Sequence, residues 1–307
     1  MRLSIVRSGR FAEQRLSTSD LRLFEAVHEG SLAMLTLLLT IAAAATLQAT
    51  SPEDTIVVTG RKALNDVQAQ KAVNAISSSS ELQMARYHEP VCPLVTGIPR
   101  EAASLVESQI RDLAKQVGAK TAAANCAANL IVMVAGDGQA MFSDIRRNRP
   151  EWLNGLAPGE IAAIAQQPGP VRAWSATSIR SEDGVMLTPS KDGSAPATLR
   201  VQSASILKQP TRQQLDGSVI IIDREALNGR TLGEVAHFAA MRGLAMTRTP
   251  KGGEVNTVLS MFASSSAPRA MTTFDLAYLR SLYAGDGRDT GIQERRRMAK
   301  AIAQQRR

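Results

Sequence analysis

The pattern of apolar and polar positions predicts alternating helices and strands between residues 99 and 283. Residues 129–134 are a continuous apolar run ended by a glycine-rich turn, which is typical of a buried strand covered on both faces, and residues 218–223 repeat this pattern. Residues 171–180 and 199–207 are predicted strands joined by a polar loop. The sequence therefore predicts one α+β domain with a mixed sheet.

Apolar residues at helical spacing predict the helices of this domain. One opens at Pro99 and ends at Gly118, and its predicted buried face contains Ala102, Leu105, Val106, Ile110, Leu113 and Val117. Shorter helices are predicted at 140–148 and 160–167. A further helix at 231–246 offers close-packing positions, namely Leu232, Val235, Ala236, Ala239, Ala240, Gly243 and Leu244.

Residues 31–49 contain no charge and end in small residues, which is typical of a cleavable signal segment. We expect residues 1–49 to be a leader, cleaved near Ala45 or Ala49, so that a periplasmic or secreted protein begins near Thr50. An uncleaved membrane anchor is the alternative.

The segment that follows the leader is polar and precedes the predicted domain. Residues 53–62 resemble the TonB box of Gram-negative outer-membrane receptors, which implies strand addition to an envelope partner, although the three aliphatic residues at 56–58 also suit an edge strand. Four consecutive serines start at Ser77. We expect residues 50–86 to be a flexible extension and the folded body to span residues 87–287.

The formal charge of +8 is concentrated at the C-terminal end. Residues 288–307 hold seven basic and two acidic residues, and residues 1–49 hold five and four, so the chain between them carries only +2. A nearly neutral body argues against a nucleic-acid-binding domain. The basic tail suits electrostatic contact with anionic lipid or with an unidentified protein or envelope partner, and a solvated terminal helix is the alternative.

The only cysteines are Cys92 and Cys126, which lie 34 residues apart. In an oxidising compartment we expect them to pair, and such a bridge contributes on the order of 3–4 kcal/mol by the chain-entropy estimate. Two buried thiols or one reactive thiol are the alternatives.

The predicted helix at 231–246 contains the sequence Gly-Glu-Val-Ala-His, from Gly233 to His237. A zincin helix carries His-Glu-x-x-His because residues four apart share a face, so both imidazoles reach one zinc ion while the glutamate polarises a bound water. Here Glu234 and His237 hold the second and last positions of that motif, and glycine stands at the first.

The similarity continues downstream. Ala240 and Gly243 stand at the positions of the metzincin glycine and third histidine, residues 257–262 resemble a Met-turn segment, and residues 273–283 resemble the closing metzincin helix. Over about residues 231–285 the chain thus resembles a zincin or metzincin whose metal site is degenerate. The resemblance implies a single zincin-like α+β domain with a central motif helix.

Two functional hypotheses follow from this resemblance. A catalytic zinc needs three protein ligands, and the motif retains only one of its three histidines. The first hypothesis is therefore an exported, non-catalytic protein that has no cofactor and that acts in the cell envelope by binding or scaffolding. The second is a zinc-dependent peptidase with Glu234 as base and His237 as ligand, in which His88 with Glu89, or a carboxylate from elsewhere, supplies the missing ligands. A packed helix histidine is the alternative role of His237.

Arg172 and Trp174 are two residues apart on a predicted strand and therefore share a face. They suit the lining of a cleft beside the motif helix, and ordinary cross-strand packing is the alternative.

Overall fold

The structure is a computed structural model that describes residues 64–78, 83–187, 199, 208–252 and 255–304. In chain order its helices and strands are α1 (Asp66–Ile76), β1 (Pro93–Thr96), α2 (Arg100–Gln116), β2 (Leu130–Ala135), α3 (Gly138–Asn148), α4 (Pro158–Ala165), β3 (Val171–Ser181), β4 (Thr211–Asp223), α5 (Leu232–Gly243), α6 (Thr273–Ala284) and α7 (Gly291–Gln304). Short 3-10 helices lie at Pro150–Leu153, Arg224–Leu227 and Val258–Ser260.

The described strands form one mixed sheet with the order β1-β2-β4-β3. β1, β2 and β4 are parallel, and β3 runs antiparallel to β4. The two apolar runs predicted as buried strands are β2 and the second half of β4, the central strands, so the predicted α+β fold with a mixed sheet is confirmed. The first half of β4, residues 211–217, was not predicted because its polar side chains hide the strand pattern.

The two central strands divide their side chains between two cores. Leu130 and Ile220 face the larger core, which α1, α2, α5, α6 and α7 cover. Ile131 and Ile221 face the smaller core beneath α3 and α4. This division explains why both strands are apolar without interruption, since each face of the sheet carries helices.

Helix α1 corrects the prediction of a flexible extension over residues 50–86. The helix begins with a capping box in which Asn65 and Gln68 each accept a hydrogen bond from the other's backbone N–H. Its inner face is fully buried against the larger core, with Val73 and Ile76 both at 0% exposure. Residues 66–76 therefore belong to the folded body.

Helix α7 argues against the solvated terminal helix that was the alternative for the basic tail at 288–307. Met298 and Ala299 are buried in the larger core, as are Ile302 and Ala303 one turn later. Glu294 on the same helix is 1% exposed and forms an ion pair of 3.0 Å with Arg86, which is 2% exposed. The last helix is therefore part of the core, with only its outer face basic.

The predicted disulfide between Cys92 and Cys126 is confirmed. Cys92 lies just before β1, and the loop from Cys126 leads into β2. Asn129 ties the same two segments together, because its Oδ1 accepts from the Cys92 N–H at 2.7 Å and its Nδ2 donates to the Pro90 carbonyl at 3.0 Å. The bridge thus reinforces the start of the β1–β2 pair.

Two predicted packing positions are wrong. Leu105 on α2 is 58% exposed and Leu232 on α5 is 37% exposed, whereas the other predicted positions on these helices are largely covered. Leu232 is the first residue of α5.

The signal segment at 31–49, the TonB-box-like residues 53–62 and most of the predicted strand 199–207 lie outside the described residues. Within the described parts of the chain, no helix combines the length and the apolar character needed to cross a bilayer.

Candidate functional site

Helix α5, which carries the zincin-like motif, starts with a capping box formed by Thr231 and Glu234. The Thr231 side chain accepts from the Glu234 N–H at 3.2 Å, and Glu234 Oε2 accepts from the Thr231 N–H at 2.6 Å. Both residues satisfy backbone donors that the first turn of a helix would otherwise leave unpaired. Glu234, the candidate general base, therefore holds the start of its own helix.

Two arginines neutralise the buried carboxylate of Glu234. Its Oε1 lies 2.7 Å from Arg269 Nε and 3.8 Å from Arg230 Nη1. Burial alone would raise the pKa of Glu234, but the Thr231 N–H and the Arg269 guanidinium hold this pKa below its usual value. A carboxylate with a lowered pKa is a poor proton acceptor at neutral pH, where a general base works best with a pKa near 7.

His237 lies one turn further along α5 and is half-buried. Its Nδ1 accepts a hydrogen bond from the Met271 N–H at 3.2 Å, and burial lowers the pKa of the imidazole. The neutral ring therefore carries its proton on Nε2. In a zinc-binding histidine this hydrogen bond runs in the opposite direction, because the ring nitrogen that does not bind the metal carries a proton and donates it to an acceptor.

The remaining metzincin positions do not converge on His237. Gly233 has no side chain that could bind a metal, and the helix continues without a break at Ala240. Gly243 is six residues after His237, so on a regular helix it points about 120° away from it. A Cβ added at Gly243 would lie 2.8 Å from a methyl group of Leu130 on β2. The residues present at these positions therefore do not fit a metzincin zinc ion.

The segment that resembles a Met-turn packs against α5 and is fastened to the segment that resembles a closing helix. Phe262 makes an edge-to-face contact with Phe238 of α5 at 4.8 Å between ring centroids. Asp275, fully buried in the first turn of α6, accepts from Thr257 Oγ1 at 2.6 Å and from the Val258 N–H at 2.9 Å. Asp275 thereby fastens the Val258–Ser260 turn to α6, which is a structural task.

The other histidine of the described chain, His88, faces a different part of the molecule. Its imidazole lies against Gly287, in the loop before α7. Burial and the nearby guanidinium groups of Arg212 and Arg86 lower the pKa of His88 to about 4. Within the described residues, no group of three or more histidine, cysteine, aspartate or glutamate side chains is arranged to hold a metal ion.

Arg172 and Trp174 pack within the fold on the sheet face opposite α5. Trp174 belongs to the smaller core, where it contacts Phe142 of α3 edge to face at 5.5 Å and donates from Nε1 to the Trp152 carbonyl at 3.0 Å. Arg172 Nε donates to Gln139 Oε1 at 3.0 Å. The pair does not line a cleft beside the motif helix, and its contacts are those of ordinary packing.

The buried ion pair between Arg86 and Glu294 had no counterpart in the sequence prediction, because it joins residues 208 positions apart and no local pattern indicates such a contact. The basic residues of α7 were predicted as a basic tail, and their regular spacing is visible in the sequence, because Ile292, Arg296 and Lys300 recur every four residues.

Comparisons of this chain with protein-family models, with curated proteins and with solved structures found no significant match.

Proposed function

We propose that this chain is an exported, non-catalytic zincin-like protein of the cell envelope that acts by binding or scaffolding. The proposal combines the resemblance over residues 231–285 with the contacts made by the two motif residues that remain. Glu234 is occupied by a helix cap and two arginines, and His237 accepts a backbone hydrogen bond. Both side chains stabilise the helix and its surroundings, and neither is oriented for hydrolysis of a peptide.

The hydrogen bond from Met271 to His237 is the observation that carries this proposal. For Nε2 to bind zinc, a neutral imidazole would have to carry its proton on Nδ1, where it would point at the Met271 N–H. Two donors would then face each other, so binding would require the 271–272 backbone to move. Among the residues that the structure describes, the metal-dependent alternative has no comparable contact in its favour.

Metal analysis of the purified protein tests the proposal. We expect well below one zinc per chain after exposure to zinc and removal of excess ion, with no difference between the natural chain and H237A. We also expect no peptidase activity in either protein. Stoichiometric zinc that disappears in H237A, together with activity that is lost in the same variant, would establish the zinc peptidase instead.

Export is supported by the uncharged segment at 31–49 and by the Cys92–Cys126 disulfide, since such bridges persist mainly in oxidising compartments. Cell fractionation of the natural chain should recover a shortened, disulfide-bonded form outside the cytoplasm. N-terminal sequencing of this form distinguishes cleavage near Ala45 or Ala49 from an uncleaved anchor. A full-length, reduced protein in the cytoplasm would contradict export.

A further inference from the structure

The outer face of α7 carries a regular stripe of one apolar and two basic residues. Ile292, Arg296 and Lys300 are all exposed and follow one another at intervals of four residues, so they lie on one side of the helix. The opposite side of α7 is buried in the larger core. The helix thus combines a fixed inner face with an outer face that is both basic and apolar.

Helix α1 packs beside α7 and carries a similar exposed stripe. Val67, which is 79% exposed, is followed four residues later by the exposed Lys71. Arg248 closes the end of α1, because its guanidinium donates to the carbonyls of Asn74 and Ala75 at 3.0 Å. Both helices therefore present cations next to an exposed aliphatic side chain.

On the described parts of α1 and α7 taken together, acidic residues are fewer than basic ones. Glu294 of α7 points inward, where it pairs with Arg86 and with Arg297. On α1 the acidic residue is Asp66, in the first turn. The outer face of α1 and α7, with Arg248, is therefore basic within a body that is otherwise nearly neutral.

We infer that this basic face, formed by Val67, Lys71, Arg248, Ile292, Arg296 and Lys300, docks on a membrane surface that contains anionic phospholipids. Basic residues are attracted to anionic headgroups, and aliphatic side chains between them enter the headgroup boundary, which is the pattern of helices that lie on a bilayer. The large exposed apolar side chains of the described chain include no aromatic residue, so the face offers no stacking platform for single-stranded nucleic acid. The inference specifies the partner of the envelope role proposed above and rests on it.

Vesicle sedimentation tests this inference with the full chain. Binding is measured to vesicles of phosphatidylcholine alone and to vesicles with about one third phosphatidylglycerol, and the ratio of the two affinities is the readout. This ratio removes any contribution of the apolar residues 31–49, which would bind both kinds of vesicle. We expect a preference for anionic vesicles that disappears at about 0.5 M salt, because screening shortens the range of the attraction.

The decisive variant is R296Q/K300Q. Each basic residue near an anionic surface changes binding about fivefold, so losing two should reduce the anionic preference about 25-fold. The matched control R146Q/R147Q removes two exposed arginines from α3, on the other side of the sheet, and should change the preference less than about threefold. The charge-conserving variant R296K/K300R should bind like the natural chain.

Circular dichroism shows first that each variant is folded. Equal losses in R296Q/K300Q and R146Q/R147Q would overturn the inference in favour of general charge attraction, and so would the absence of any anionic preference in the natural chain. Metal content is measured separately, so a failure of membrane docking is distinguishable from a failure of the non-catalytic assignment.

Discussion

Adding one methyl group at Gly243 tests the close contact between α5 and the sheet. In G243A the new Cβ would lie 2.8 Å from Leu130 Cδ1 and 2.9 Å from Leu130 Cγ, well inside normal van der Waals contact. Leu130 is itself fully buried, so its side chain cannot swing into solvent. The clash therefore has to be relieved by a shift of the helix or of the strand.

Two opposing effects set the magnitude of this change. Overpacking a dense core costs about 1–3 kcal/mol, whereas replacing glycine by alanine in a helix gains up to about 1 kcal/mol and less at a helix end. We therefore expect G243A to lower the free energy of unfolding by about 1–2 kcal/mol. In a domain of this size that corresponds to a fall in Tm of about 3–6 °C.

The matched control is G233A, at the other end of the same helix. The nearest atom to a Cβ added there is Gln109 Oε1 at 3.7 Å, an ordinary contact, so we expect an unchanged or slightly increased stability. Urea unfolding of both variants gives the comparison. The double variant G243A/L130V should recover part of the loss, because the shorter valine leaves room for the methyl group. Equal stabilities of G243A and G233A would refute the close packing and with it the inward orientation of position 243.

Three further predictions concern buried groups. Replacing Glu294 by glutamine removes the anion beside the buried Arg86, so we expect the free energy of unfolding to fall by about 3–5 kcal/mol. The control E182Q removes an exposed partner of Arg288 and should lower the free energy of unfolding by less than about 1 kcal/mol. Equal effects of the two variants in denaturant unfolding would contradict the buried pair. Replacing both cysteines by serine should lower the free energy of unfolding by about 3–4 kcal/mol, and a loss below about 1 kcal/mol in urea titration would contradict a stabilising bridge. Burial raises the pKa of all three tyrosines, that of Tyr278 to about 12, so the folded state retains its phenolic protons and loses stability as pH rises above the unfolded value of about 10. Ultraviolet absorbance should show tyrosinate forming together with the loss of circular dichroism, and gradual titration of a still-folded protein would argue against burial.

The sheet and the helices of the central body were predictable because their patterns are local. The uninterrupted apolar run at 130–135 indicates a strand with both faces covered, and the small residues of α5 indicate a helix packed closely on its neighbour. Helix α1 had a local signature too, since Asn65 and Gln68 form a capping box before Val73 and Ile76. The four serines that start at Ser77 favoured a flexible segment instead, so this helix was not predicted.

The candidate site was less predictable because its outcome depends on contacts across the chain. The spacing of Glu234 and His237 specifies that they share a helix, but it does not specify which way a hydrogen bond to His237 runs. That polarity depends on the Met271 N–H, 34 residues later. The expected cleft at Arg172 and Trp174 depended likewise on which sheet face receives α5, and strand alternation alone does not identify that face.

The pairing of Arg86 with Glu294 has a consequence for how the chain folds. The buried guanidinium of Arg86 belongs to an early segment of the described chain. Its counter-ion lies on the last described helix, as do four apolar residues of the larger core. A chain still being synthesised would hold a buried cation without its partner, which is a costly state. Contacts between residues this distant in sequence also slow folding. The larger core should therefore close only after α7 has been made, so that the earlier helices and strands stay loosely packed until then.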